Sequence, residues 1–227
     1  MGWPDERASI RRDALGIAAY AGAFGVSLGA IAVASGLTVV QTGLLSLAMF
    51  SGASQVAFIS VVGSGGSAVA AIPATLLLGL RNTFYGIRLV QVLGVRGRRL
   101  ALAAQFVLDE TAAMVIARDD QREQRYAFWF TGALLFVVWN LGTIGGALAG
   151  SAIGDTATFG LDAVVPAAFL ALIWPRLDEQ ASRLVAIGGA LIATALVPVL
   201  PPGIPVLAAA PVAVVAGLWG HPKRTAQ

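Results

Sequence analysis

Residues 78–88 read LGLRNTFYGIR and lie inside an apolar run from 68 to 91. In a solvated loop, Arg81 and Asn82 would need no explanation. A run of this length is instead what a helix needs to cross a hydrocarbon core, about 20 mostly apolar residues. Arg81 then stands about 13 residues in, roughly 20 Å along the axis, in a core about 30 Å thick. What surrounds this arginine decides how the whole chain is read.

The composition favours lipid. Of 227 residues, 57% are apolar and 12% charged, with a mean hydropathy of +0.80, whereas an ordinary soluble domain is about a quarter charged. Such a chain cannot cover a surface with polar groups. It reads as all-α, a polytopic transmembrane helical bundle. One integral membrane domain is expected over 1–227, with cytoplasmic tails at 1–13 and 220–227. The net charge of +3 is spread in short clusters between apolar runs, unlike the single basic face of a nucleic-acid binder. There is no cysteine, and the one histidine, His221, lies in the tail HPKRTAQ. Disulfides, thiolate or histidine metal sites and a Ser–His nucleophile at depth cannot be built, so no cofactor, metal or enzymatic activity is expected.

Apolar runs long enough to span fall near 14–35, 41–62, 68–91, 127–150, 160–176, 183–200 and 204–219; a shorter one, 100–117, carries Asp109 and Glu110. The first exceeds the about 7–15 residues of a signal-peptide core, and its leader holds Asp5, Glu6 and Asp13, so it reads as a retained span. Basic residues set the orientation. They cluster at Arg7, Arg11 and Arg12, at Arg88, Arg96, Arg98 and Arg99, at Arg118, Arg122 and Arg125, at Arg176 and Arg183, and at Lys223 and Arg224. The links near 36–40, 63–67, 151–158 and 200–205 have none. The basic links are therefore expected inside and the bare ones outside, with both termini cytoplasmic. Eight plain crossings would strand RGRR (96–99) outside. If 41–66 enters and leaves from the outer face and 100–117 from the inner, every cluster lands inside, so of the six to eight membrane segments expected, about six cross and two are broken or re-entrant, with eight plain crossings as the alternative. FSGASQ (50–55) supports a break in the first, since it gathers Ser51, Gly52, Ser54 and Gln55 in mid-segment.

A central arginine costs roughly 2.5–3.5 kcal/mol on insertion scales. It either pairs with a carboxylate to lock two helices or faces a cavity as a cationic site. Arg81, Tyr85 and Arg88 recur at i, i+4 and i+7 and form one stripe, flanked by Gly79 and Gly86, which permit close approach of a backbone or a ligand. Asp109 and Glu110 point about 100° apart on a helix, so only one can face a given partner squarely. Burial favours the protonated form of a carboxylate, which suits a residue that takes up and releases a proton; the plain alternative is a pair of acids at the surface end of an amphipathic helix. SGASQ resembles the broken helices of secondary transporters, whose exposed helix ends bind charged substrate groups near the midplane. Gly25 and Gly29, and Gly142, Gly146 and Gly150, have the spacing of tight helix contacts. Asn140 reads as an interhelical hydrogen bond with a structural or gating role, Asp162 with Pro166 as a helix start or an exit, and RDDQREQR (118–125) as a solvated loop.

Three motifs in order, FSGASQ (50–55), LRNTFYG (80–86) and LDETAA (108–113), followed by GLDAVVPAAFLALIWPRL (160–177), resemble the AzlC family of branched-chain amino-acid exporters. The resemblance implies a permease of the bacterial plasma membrane that exports hydrophobic amino acids with a small AzlD-like membrane subunit. It implies that Ser54 and Gln55 match the family's Ser–Gln, Arg81 its in-membrane arginine, and Asp109 and Glu110 its acidic pair. Gly79 departs from the family, which often has Asn there; here Asn82 follows the arginine instead. On this reading Ser54, Gln55, Arg81, Asn82 and Tyr85 bind substrate, Asp109 and Glu110 bind the ammonium group or carry a proton, and Gly52, Gly79, Gly86 and Asn140 shape the path. A channel or facilitator for another small polar solute would line its pore with the same residues.

Overall fold

The computed structural model describes residues 3–152 and 180–200, together with positions 170, 174, 177, 178, 204, 205, 208, 209, 211, 212 and 215. Every element among the described residues is helical: α1 Trp3–Ala34, α2 Val39–Ala48, α3 Gly52–Gly63, α4 Ala68–Leu93, α5 Arg98–Gln105, α6 Asp109–Ile116, α7 Gln121–Ala152 and α8 Gln180–Leu196. Two of these, α1 and α7, are long and apolar enough to cross a membrane. The runs at 160–176 and 204–219, with Asp162, Pro166 and the tail 220–227, fall wholly or largely outside the described residues.

α1 and α7 form a parallel pair against which α2 to α6 are arranged. Arg11 Nε donates to the Tyr126 hydroxyl at 2.7 Å near their starts, and Gly150 faces Ala30 near their ends. Between these points the backbones almost touch. A Cβ on Gly29 would fall 1.9 Å from the Thr143 carbonyl oxygen, and one on Gly146 would fall 1.9 Å from that of Val26. In lipid, apolar burial gives no net drive for helices to associate, so close van der Waals packing over small residues supplies it.

The first broken segment hangs from the finishing end of this pair. Thr38 starts α2 with a reciprocal cap, its hydroxyl accepting from the Gln41 amide while Gln41 Oε1 accepts from its own. α2 then runs back along α7, with Gly43 against Ile144 and Phe50 edge-on to Phe136 at 5.1 Å. The helix breaks at 49–51, within the stretch that the polar residues of FSGASQ mark. α3 starts with Gly52 against the Trp139 ring and returns until Gly63 lies beside Ser35, just past the end of α1. α2 and α3 therefore begin and finish at the same end of the bundle.

α4 runs the opposite way to α7. Near its start, the Thr75 carbonyl accepts from Ser54 Oγ at 3.2 Å. At its finish, Arg125 Nε and Gln121 Nε2 both reach the Val92 carbonyl at 3.2 Å. Gly94 closes the helix in the left-handed region at φ 62°, a conformation that glycine adopts without Cβ strain. α5 and α6 then form a second broken pair from this opposite end. Gln105 Nε2 donates to the Leu47 carbonyl at 2.9 Å, and Phe106 lies 5.9 Å from Phe136. α6 leaves again, burying Met114 with Ile10, Ala14 and Ala127, and just beyond it Arg118 pairs with Asp13 at 2.8 Å. The two breaks thus meet at one level, both against Phe136. The succession of one long helix and one broken pair occurs twice, as α1–α2–α3 and as α4–α5–α6, with the second unit running in the opposite sense.

Two expectations are corrected. Residues 3–13 are the first turns of α1 rather than a tail, since Ile10 packs with no exposed surface against α7. The stretch 118–125 is not a solvated loop: α7 starts at Gln121, with Asp120 Oδ1 accepting from the Arg122 and Glu123 amides at 2.8 and 3.1 Å. Cations over rings hold this end together, Arg122 lying 4.2 Å from the Trp3 ring centre and Arg7 5.1 Å from that of Tyr126.

Gly146→Ala is expected to lower stability by about 1–3 kcal/mol or more, as overpacking does. Gly145→Ala, which meets nothing within 4 Å, should be neutral or mildly stabilising. Paired thermal unfolding in detergent measures the difference, and equal melting points would refute the backbone contact.

Candidate functional site

A helix that breaks away from water must find partners for the amides and carbonyls it frees. At the first break Gln55 does this. It is 1% exposed; its amide donates to the Met49 carbonyl, and its Oε1 accepts from Trp139 Nε1 at 3.3 Å. Ser51 Oγ donates to Ser54 Oγ at 3.3 Å, and Ser54 donates onward to the Thr75 carbonyl. At the second break Thr111, wholly buried, folds back so that its hydroxyl donates to the Phe106 carbonyl at 2.7 Å and accepts from the Leu108 amide at 3.0 Å. In each case a polar side chain of the outgoing half-helix ties down the bend that precedes it.

The outgoing half-helices α3 and α6 both start level with Phe136 and Trp139 of α7, and α4 passes between their first turns. Gly79 faces α3, where a Cβ would stand 3.4 Å from Ser54 Oγ. Arg81 faces α6, with its Nη1 2.6 Å from Asp109 Oδ2. The N-terminal turn of α6 also favours negative charge through its unpaired amides, so Asp109 is held by a guanidinium and by a helix end. The pair is not sealed: the side chains of Arg81 and Asp109 are 34% and 31% exposed. Nor is it saturated, since Arg81 Nε, Asp109 Oδ1 and Asn82 Oδ1 are shielded atoms without a hydrogen-bond partner. Glu110 is half-buried beside it.

The predicted stripe is present and graded along α4. Arg81 is paired, Tyr85 is half-buried against the core, and Arg88 is exposed and lines a cleft of about 190 Å³ between α4, α6 and the start of α7. Gly79 makes the expected close approach, whereas Gly86 faces nothing within 4 Å. Gly52 lets the Trp139 ring lie against the first turn of α3. Asn140 is a correction. Its amide donates back to the Phe136 carbonyl on its own helix at 2.7 Å, and its buried Oδ1 has no partner, so it makes no interhelical hydrogen bond. It lies one turn from Phe136, which packs on Phe50 in the first break, and from Ile144, which faces α2; Ser46 of α2 is likewise buried with its hydroxyl unpaired.

Sequence reasoning missed Thr111 and Trp139, which hold the breaks, and the polar cleft residues Asp119 and Gln124. A hydroxyl three residues after Leu108 has capping-box spacing and was the available cue for Thr111. Trp139 carried none, because its role depends on Gln55 being 84 positions away in sequence.

Residues 16–153 match the family model described as AzlC protein, a stretch that takes in both breaks and the ion pair. No curated protein and no solved structure gives a match.

Thr111→Val keeps the side-chain shape and strips the hydroxyl, leaving a buried amide and a buried carbonyl unpaired. It should cost about 1–3 kcal/mol, read as a lower melting temperature in detergent. An unchanged melting point would mean that this hydroxyl does not hold the second bend.

Proposed function

The chain belongs to the AzlC family, a membrane-transport family, and on that footing we propose that it is a secondary transporter exporting branched-chain or other hydrophobic amino acids. The observation that carries the reading is the Arg81–Asp109 pair, short, partly open and with spare hydrogen-bonding atoms on both partners. An amino-acid zwitterion can replace each member for the other. Its carboxylate takes the guanidinium of Arg81 and its ammonium takes Asp109 or Glu110, so neither charge is left uncompensated. A ligand with one charge would leave one member alone, which is the expensive way to open such a pair. Asn82 and Tyr85 lie close by on α4 to complete the contacts, and Glu110 carries the coupled proton. Ser54 and Gln55 hold the shape of the opposite half-helix end.

The described geometry fits the first part of the proposed six-crossing path, with α1, α4 and α7 as passages and two re-entrant pairs between them. Apart from Arg81, every arginine of residues 3–152 lies at the end where α1 and α7 begin, and α4 delivers RGRR to that end. Lysine and arginine bias places such an end in the cytoplasm. The chain is then one integral domain of the bacterial plasma membrane with both termini cytoplasmic. Two oppositely running units around a central site match the repeat architecture of carriers that open alternately to either side. A small AzlD-like subunit completes the exporter.

The test is efflux of labelled leucine, valine and methionine from proteoliposomes, with and without the small membrane protein encoded beside this chain, under an imposed pH gradient. The expected result is saturable, gradient-sensitive efflux that Arg81→Ala abolishes and that Asp109→Asn and Glu110→Gln slow by at least about tenfold. Saturable flux that ignores the gradient would discard proton coupling. No amino-acid flux with the partner present would overturn the exporter, leaving Arg81 as a helix lock.

A further inference from the structure

The cleft at the basic end is separate from the central ion pair, and its lining has its own chemistry. Arg88, about two turns beyond Arg81 on α4, lines it with Asp119, which lies just past the end of α6, and with Gln124 of α7. Leu89, Val92, Val115 and Ile116 supply the apolar part of the lining. Among the described residues neither Arg88 nor Asp119 lies within ion-pair distance of an opposite charge, and they do not pair with each other. Arg118 also lines the cleft, but Asp13 already compensates it at 2.8 Å. Among the described residues the cleft is thus lined by an unpaired cation and an unpaired anion together with aliphatic side chains, in a volume of about 190 Å³.

We propose that this cleft is a loading site that binds a free aliphatic amino acid at the basic end before it reaches the centre. Arg88 takes the carboxylate, Asp119 the ammonium, and Val92, Val115 and Ile116 the side chain. The inference rests on the transporter reading, and it adds a site and a route. Arg88, Tyr85 and Arg81 lie on one stripe of α4 at helical spacing, while α6 leads from Ile116 at the cleft to Asp109 at the pair. A carboxylate released by Arg88 thus meets the next guanidinium two turns deeper, with a phenol between, and never crosses a bare apolar stretch. An amino acid parked by both charges also enters with its polar groups already aligned to a cation on α4 and an anion on the α6 side.

The chain has no native cysteine, which allows a binding test that does not depend on transport. Ile116→Cys, purified in detergent, is labelled with a maleimide dye with and without leucine. Leucine is expected to slow labelling, and to do so equally well in the Arg81→Ala background. Adding Arg88→Gln or Asp119→Asn should raise the leucine concentration for half-protection by about tenfold, the loss of one charge-assisted hydrogen bond. Melting temperatures of the variants show whether the fold is intact, and Arg99→Gln serves as a charge control that should leave protection unchanged. Protection that vanishes with Arg81→Ala but survives Arg88→Gln would assign leucine to the centre alone and overturn the loading site. No protection in any background, while the proteoliposomes still export leucine, would also overturn it and leave the exporter standing; failure of both would remove the transporter reading itself.

Discussion

The contact between the backbones of α1 and α7 is the constraint on which the arrangement of α2 to α6 depends. Glycines at 25, 29, 142 and 146 bring the two helices so close that carbonyl oxygens occupy the space of absent side chains. With the pair fixed, α7 presents Phe136 and Trp139 at one depth, and those rings receive Phe50, Phe106, Gly52 and Gln55. Both helix breaks are thus registered against a single ruler. A looser α1–α7 pair would let α7 rotate, and each bend would lose its anchor at the same time.

Bending a helix away from water is costly because backbone groups lose partners, and this chain meets the cost differently at its two breaks. The first uses an amide side chain bridging to tryptophan, and the second uses one threonine hydroxyl. What the bends provide is two helix N-termini level with Phe136 and Trp139, with their free amides close to α4. A charged pair is tolerable there for the same reason that it is useful: the acid sits on a helix end, the arginine sits on the acid, and neither is wholly sealed.

Parts of this arrangement are written locally and parts are not. The first break is legible because Ser51, Gly52, Ser54 and Gln55 interrupt an apolar run, and small polar residues have no reason to cluster there otherwise. The glycine spacing of α1 and α7 is legible for a similar reason. The second break is different. Phe106, Val107 and Leu108 look like ordinary helix and are buried; the turn is signalled by the placement of the arginines, which must gather at one end, and more faintly by the capping-box spacing of Thr111. The starts of α1 and α7 resemble a charged leader and a charged loop because their stabilising contacts, cations over rings and the Arg118–Asp13 pair, join residues more than a hundred positions apart. Asn140 misleads because its amide finds a carbonyl on its own helix.

The repeated succession of one long helix and one broken pair has a consequence in the parity of the chain path. Each unit runs the length of the bundle once and makes one excursion that returns to the end where it began, so a unit that starts at one end finishes at the other. A second unit joined directly to it has no choice of direction and must be laid down upside down. Inversion here needs no signal of its own and no likeness of side chains between the halves; it follows from an odd number of passages per unit. The second unit in turn finishes at the first end, which is why α7 sets out from the side where α1 began and can lie parallel to it along its whole length.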